Sequence, residues 1–169
     1  MKRLPVIILL ACLFSPLHAQ TFRLLRPVPD TIQTNGSYLY GEPRLSNPSL
    51  SHTGIDISIR YDTVRSASDG SVWFVGYDPA DSTGGYEPGG CGNYIFVRSV
   101  WGTQSLYLLY CHLTRPLVSQ GDVIARGAPI GISGNTGYST GPHLHFELRM
   151  GTASASGTRT AEVPQNPAQ

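Results

Sequence analysis

Apolar and polar residues alternate along the stretch 141–148, which reads Gly-Pro-His-Leu-His-Phe-Glu-Leu. The apolar positions of the alternation are Leu144, Phe146 and Leu148. Because side chains along a strand point to opposite faces with period two, this pattern predicts a half-buried β-strand. Its polar face would carry His143 and His145, and two imidazoles on one rigid strand can bind a metal ion or transfer a proton.

Shorter segments with the same character, separated by turn residues, run through the rest of the chain. Residues 54–60 carry isoleucine at alternate positions, and Asp69-Gly70 between residues 64–68 and 71–76 predicts a hairpin. Further strands are predicted at residues 38–40, 94–97, 106–112, 123–125 and 130–132, the last two as a short pair. No segment after the first twenty residues keeps a helical period over about eleven positions. About eight short strands with turns between them predict an all-β, antiparallel domain.

The first nineteen residues predict a secretory signal peptide. Two basic residues precede an apolar run at 6–14, and Ala19 supplies a small residue at the expected cleavage point. The run is too short to span a bilayer, which needs about 20 apolar residues. An alternative is a lipoprotein signal with a lipidated Cys12. The short apolar run before it and the poor fit of Leu10 favour a soluble exported chain.

Removal of that segment leaves ten basic and eleven acidic residues, a net charge of −1. The absence of a basic stripe argues against nucleic acid as a partner, and the absence of a polybasic segment argues against a membrane anchor. The predicted organisation is a signal peptide at 1–19, an extended lead-in at 20–51, one β-domain at 52–150 and a flexible tail at 151–169. Two cysteines, Cys91 and Cys111, remain after cleavage, and an even count in an exported protein invites a disulfide.

Four histidines follow residue 19, and all of them lie in or beside predicted strands: His52, His112, His143 and His145. Taken singly, each is more readily explained as a structural residue. Asp56 follows His52 by four positions, and four extended residues span about 13 Å, much too far for two ligands of one metal ion. We therefore expect the chain to bend near Thr53-Gly54. Three such ligands and a water form the open tetrahedral site of zinc catalysis, and the remaining imidazoles can move protons.

Three motifs resemble those of the LytM and lysostaphin-type zinc peptidases. They are His52-x-x-x-Asp56, Tyr110-x-His112-Leu113, and the Ser-Thr-Gly-Pro-His-Leu-His-Phe-Glu of residues 139–147. The resemblance runs from about residue 40 to Arg149 and implies a small antiparallel β-domain with a groove walled by loops, so that residues 52–150 would be the zinc peptidase domain. It also implies one zinc ion held by His52, Asp56 and His145. His112 and His143 would be the catalytic residues, acting as general base and stabilising the oxyanion.

The resemblance further implies a substrate: the peptide cross-bridges or stem peptides of bacterial peptidoglycan, which suits a chain exported to the periplasm or the medium. The main alternative is a catalytically inactive LytM-like domain that activates a separate wall amidase. Such regulators commonly lack motif residues, and none is missing here. A secreted toxin or an assembly-associated wall hydrolase would share the same chemistry.

Two features lie outside the family motifs. Glu147 shares a strand face with His145, and we expect it either to orient that ligand or to be an ordinary surface charge. A hairpin that pairs Val97 with Leu106 would bring Cys91 opposite His112, and a one-residue bulge would then pair the two cysteines. We therefore hypothesise a Cys91–Cys111 disulfide that braces the strand presenting His112 and contributes about 3 kcal/mol.

Overall fold

The computed structural model describes residues 22–32, 39–44, 47–76, 90–151 and 163–165. Within these ranges the chain forms eleven β-strands and no helix, so the all-β prediction is confirmed. The strands are β1 Pro43–Arg44, β2 Asn47–Ser51, β3 Ile55–Ile57, β4 Thr63–Arg65, β5 Gly70–Gly76, β6 Asn93–Trp101, β7 Gln104–Pro116, β8 Val123–Ile124, β9 Pro129–Ser133, β10 Leu144–Met150 and β11 Val163–Gln165. With no helix among the described residues, none of them provides an α-helical membrane span.

Nine of these strands form one antiparallel sheet, while β1 and β2 pair separately. The main path of the sheet is β11-β10-β7-β6-β5-β8; β3 pairs with β10, and β9 pairs with both β4 and β7. The 13-residue β7 is the central element, because it pairs with β6 on one side and with β10 and β9 on the other.

The centre of the sheet is covered on both faces, which explains the nearly continuous apolar sequence of β6 and β7. On one face Ile95 and Val97 pack in the larger core cluster with Leu108. On the other face Phe96 and Leu109 pack in a smaller cluster with neighbouring tyrosines and both cysteines. Because alternate residues of each strand enter opposite clusters, the two central strands are held rigidly.

The Asp69-Gly70 hairpin prediction is wrong. Strand β4 pairs with β9, whereas β5 pairs with β6 and β8. The Asp69 carboxylate accepts a hydrogen bond of 2.9 Å from the Arg126 amide, which ties this connection to the segment between β8 and β9. For the same reason residues 123–125 and 130–132 do not pair with each other, since each joins a different longer-range partner.

The predicted register of β6 and β7 is also wrong, by two residues. Val97 lies opposite Leu108 rather than Leu106, and an irregularity follows between Asn93 and Ile95. Residues 39 and 40 form a turn instead of a strand. The predicted signal peptide, Tyr38, residues 77–89 of the long loop, and residues 152–162 and 166–169 of the tail lie outside the described residues.

The Cys91–Cys111 disulfide is present, with a Cα–Cα distance of 4.8 Å and a sequence separation of 20 residues. Cys111 lies in β7, whereas Cys91 lies just before β6. The Cys91 carbonyl accepts a hydrogen bond of 2.7 Å from the His112 amide. The crosslink therefore lies directly beside His112, as the hypothesis required.

Candidate metal and catalytic centre

Three side chains converge where β3 meets β10. Asp56 of β3 lies directly opposite His145 of β10 in the antiparallel register, and His52 approaches from the segment before β3. The Asp56 Oδ1 is 2.8 Å from His145 Nδ1 and 3.2 Å from His52 Nε2. One ligand atom from each residue lies within 4.8 Å of the others. The structure thus brings together the three residues that the family resemblance implied as metal ligands.

The predicted bend between His52 and Asp56 is present at Gly54. This glycine also lies against β10: a Cβ atom there would be 2.4 Å from the Phe146 carbonyl oxygen and 2.8 Å from the Glu147 Cγ. Real Cβ atoms do not approach so closely. Only glycine lets the chain turn at this distance from β10, and that close approach places His52 beside His145.

Hydrogen bonds orient both imidazoles of this group. The His52 Nδ1 is 3.0 Å from the Leu39 carbonyl, an acceptor, so Nδ1 carries the proton and Nε2 faces Asp56. The His145 Nε2 is 2.8 Å from Glu147 Oε1, which leaves Nδ1 facing Asp56. Each histidine is therefore held by one nitrogen and presents the other to the shared centre, as metal-binding histidines do.

Glu147 is not a surface charge: it is buried, with a relative exposure of 3%, and its carboxylate contacts three other side chains. Besides His145, it accepts hydrogen bonds of 2.5 Å from the Thr53 hydroxyl and 2.5 Å from the Arg149 Nε. Burial by itself would raise the pKa of Glu147, but the hydrogen bond from His145 and the Arg149 charge lower it to about 2. Glu147 is therefore ionised where it contacts the His145 Nε2.

The two remaining predicted site histidines, His112 and His143, lie together beside this group. Their ring centroids are 4.5 Å apart, and the His143 Nε2 is 3.6 Å from Asp56 Oδ1. The His112 Nδ1 is 2.8 Å from the Thr136 carbonyl, and the His143 Nδ1 is 2.7 Å from the Gly141 carbonyl. These acceptors assign a proton to each Nδ1, so in the neutral rings each Nε2 is the nitrogen that can accept a proton.

His112 adopts a left-handed backbone conformation with φ of 61°. Such a φ is uncommon outside glycine and persists where surrounding contacts impose it. Here the contacts are the disulfide at the preceding Cys111, the hydrogen bond to the Cys91 carbonyl and the side-chain hydrogen bond to Thr136. The crosslinked turn therefore directs the His112 imidazole toward the centre.

The charge state of the metal-free site follows from these contacts. Burial opposes protonation of His145, but hydrogen bonds to Asp56 and Glu147 raise its pKa to about 9. Burial likewise opposes ionisation of Asp56, and the hydrogen bonds from His145 and His52 nonetheless hold its pKa well below the usual range. Burial and the neighbouring His143 and His145 lower the pKa of His112 to about 3. The protonated form of His145 is thus stabilised between the carboxylates of Asp56 and Glu147, while His112 stays neutral.

Sequence reasoning named Glu147 as one candidate support for His145, but it did not identify the other residues that support the centre. Thr53 and Arg149 hold Glu147, while backbone carbonyls at Leu39 and Thr136 orient two histidines. Of these residues only Arg149 could have been found from the sequence, because it is on the same face of β10 as His145 and Glu147. The carbonyl contacts depend on how loops fold and leave no pattern in the sequence.

Comparison with known proteins places this geometry in a family. Residues 50–159 match the model of Peptidase family M23. The chain is 40% identical over 100 residues to the DD-carboxypeptidase/endopeptidase Mpg of Neisseria meningitidis serogroup B, a match that covers 59% of this chain and 20% of that protein. It is 36% identical over 128 residues to the glycyl-glycine endopeptidase ALE-1 of Staphylococcus capitis, covering 75% of this chain and 32% of that protein.

Among solved structures, the catalytic domain of the antimicrobial peptidase lysostaphin from Staphylococcus simulans superposes with a TM-score of 0.61 at 31% identity. That alignment covers 78% of this chain and 86% of the lysostaphin domain. The chain spans less than a third of the length of the two relatives named above, so the likeness concerns only part of each. The family model covers well over half of the chain, and the chain belongs to Peptidase family M23.

Proposed function

We propose that this protein is a zinc-dependent endopeptidase that hydrolyses peptide cross-links or stem peptides of bacterial peptidoglycan. The observation that carries the proposal is the convergence of His52, Asp56 and His145, with the His112–His143 pair beside them. The relatives support the substrate class, because one matched protein is named a DD-carboxypeptidase/endopeptidase, a second a glycyl-glycine endopeptidase and a third a peptidoglycan DD-endopeptidase. None of the five residues that the resemblance requires is missing.

The residues present fit a zinc ion. Two imidazole nitrogens and one carboxylate oxygen are donors that zinc prefers, and three protein ligands are the usual number at a catalytic zinc site. His52, Asp56 and His145 would hold the ion, with Glu147 and the Leu39 carbonyl orienting the two rings. When bound, zinc would act as a Lewis acid that polarises the scissile carbonyl and acidifies water.

His112 and His143 would carry out the proton transfers. A neutral His112 whose Nδ1 proton is engaged by Thr136 has a lone pair on Nε2 and can accept a proton from the attacking water. The same nitrogen can then donate that proton to the departing amine. His143 presents its Nε2 in the same way, because its Nδ1 proton is engaged by the Gly141 carbonyl. Once that Nε2 has taken up a proton, it can donate a hydrogen bond to the developing oxyanion.

A wall substrate requires export, and the basic residues and apolar run of residues 1–19 support a signal peptide that directs the chain to the periplasm or outside the cell. The Cys91–Cys111 disulfide is consistent with an oxidising compartment. Edman sequencing of the exported protein tests this point. A chain that begins at Gln20 supports the proposal, and an intact Met1 contradicts it.

The experiment that tests the activity is turnover of purified cross-linked peptidoglycan by the chain from Gln20, with and without zinc. Release of new amino termini that requires zinc supports the endopeptidase, and the fragment masses identify the bond. His112→Ala and His143→Ala should each lower kcat by about 10²–10⁴-fold while the bound zinc remains.

A matched control is Asp122→Asn, which alters an exposed turn carboxylate remote from the centre. Its turnover should equal that of the unmodified chain. Zinc binding without cleavage of any wall type would contradict the proposal and favour an amidase-activating regulator instead. Loss of zinc in His112→Ala or His143→Ala would contradict the division into ligands and catalytic residues.

A further inference from the structure

A second site lies at the opposite end of the sheet from the histidines. The pairing of β6 with β7 runs from Asn93 opposite Leu113, next to His112, to Trp101 opposite Gln104. Eight steps of about 3.3 Å along a strand place Asn93 and Trp101 roughly 26 Å apart. At the Trp101 end there is a cavity of about 530 Å³, a volume typical of small-ligand sites.

Positive charge is concentrated in this cavity. Its walls include three arginines, Arg23, Arg98 and Arg126, against one carboxylate, that of Asp69. The lining thus carries two excess positive charges, whereas residues 20–169 together carry a net charge of −1. This local imbalance makes the cavity attractive to an anion.

Within the part of the chain that the structure describes, the side chains of these arginines donate to no carboxylate. Arg98 donates from Nε and Nη2 to the Ser105 hydroxyl at 3.3 and 3.0 Å, and Arg126 donates to the Arg23 carbonyl at 3.5 Å. Neither acceptor is charged. The single carboxylate, Asp69, accepts instead from the backbone amide of Arg126. Guanidinium groups of this kind can bind a carboxylate or phosphate through paired hydrogen bonds.

Two further observations indicate a ligand that is larger than a simple inorganic anion. The Trp101 side chain is 41% exposed on the cavity wall, with the Phe22 ring centroid 6.0 Å away, so aromatic surface faces the same space. Ser68 also lines the cavity and is buried, and its Oγ has no hydrogen-bond partner among the described residues. Buried hydroxyls normally have a partner. A ligand with an apolar ring face and hydroxyl groups would supply both contacts.

We propose that this cavity binds an anionic sugar, that is, a sugar ring carrying a carboxylate or phosphate group. The arginines would hold the anionic group, the indole of Trp101 would stack on the C–H face of the ring, and a ring hydroxyl would approach Ser68. The site is separate from the histidine centre, and only an extended polymer could occupy both at once.

Isothermal titration calorimetry of the zinc-loaded chain from Gln20 tests this inference with four probes. They are N-acetylmuramic acid, N-acetylglucosamine 6-phosphate, neutral N-acetylglucosamine and inorganic phosphate. At least one of the two charged sugars should bind ten or more times more tightly than both the neutral sugar and inorganic phosphate. The tighter of the two identifies the anionic group.

The double variant Arg98→Gln/Arg126→Gln should weaken that binding at least tenfold, and Trp101→Leu should weaken it less. Arg60→Gln is the matched control, because it removes an exposed arginine outside the cavity and should leave affinity unchanged. Equal affinity for inorganic phosphate, absence of binding by both charged sugars, or unaltered affinity in the double variant would overturn the inference.

This test is independent of peptide hydrolysis. A chain that cleaves peptidoglycan but binds neither charged sugar would overturn the sugar site alone. A chain that binds a charged sugar with the expected arginine dependence but cleaves no wall material would overturn the proposed function alone.

Discussion

Replacement of Glu147 by glutamine should weaken zinc binding without removing any proposed ligand. The carboxylate accepts hydrogen bonds from three side chains and is almost fully buried, so it fixes the orientation of His145 and increases its electron donation. The amide can replace the Oε1 contact to His145 but lacks the negative charge. Loss of such a supporting partner typically lowers metal affinity by about 10–100-fold, or about 1.4–2.7 kcal/mol.

The pH of the measurement determines what is observed. With the carboxylate present, the pKa of His145 is raised to about 9, so below that pH a proton competes with zinc for Nδ1. Because Glu147 causes part of the rise in the pKa of His145, the glutamine variant should have a lower His145 pKa and weaker competition between the proton and zinc. We expect the full loss of zinc affinity at pH 9 and above, and a smaller difference, or none, near pH 6.

Competition with a chromophoric chelator, at a temperature at which both proteins are folded, measures the two dissociation constants. Asp122→Asn is the control for a carboxylate-to-amide change and should bind zinc as the unmodified chain does. Circular dichroism should show that Glu147→Gln retains the β-sheet fold. A dissociation constant at pH 9 within about twofold of the unmodified value would refute the role assigned to Glu147.

Three further predictions follow from the geometry. Gly54→Ala should destabilise the fold by about 1–3 kcal/mol in thermal unfolding, because its Cβ would lie 2.4 Å from the Phe146 carbonyl oxygen. Gly141→Ala is the control and should cost much less, because a Cβ there meets no atom within 4 Å. Equal losses of stability in the two variants would contradict the close-approach argument. Replacement of Cys91 and Cys111 by serine should lower the urea-unfolding free energy by about 3 kcal/mol, and an unchanged midpoint would show that the crosslink contributes nothing. In the metal-free protein, the raised pKa of His145 contributes stability that is fully present below its unfolded-state pKa of 6.5 and is lost as pH rises through about 9. The free energy of unfolding should therefore fall by up to about 3 kcal/mol over this range, and zinc should abolish the decrease. A free energy that does not change with pH would contradict the assigned protonation.

Local sequence predicted which strands exist better than it predicted which strands pair. Alternation identified β10, and the isoleucines of residues 54–60 identified the region of β3, because the period of two depends only on neighbouring residues. The Asp69-Gly70 turn signal failed because β4 and β5 each have a more extensive partner elsewhere in the sheet. Pairing is a non-local competition among strands, and a local turn preference does not decide it.

For the candidate site, the residue types can be read directly from the chain: four histidines, an aspartate four positions after the first of them, and Gly54 between that histidine and the aspartate. Recognisable motifs were enough to group them, because the donor chemistry resides in the side chains. Tertiary structure decided which nitrogen each ring presents, that Glu147 is buried behind His145, and that three arginines share a cavity at the far end of the sheet. Those properties depend on carbonyls, registers and loop contacts brought together from distant parts of the chain, and no local pattern specifies them.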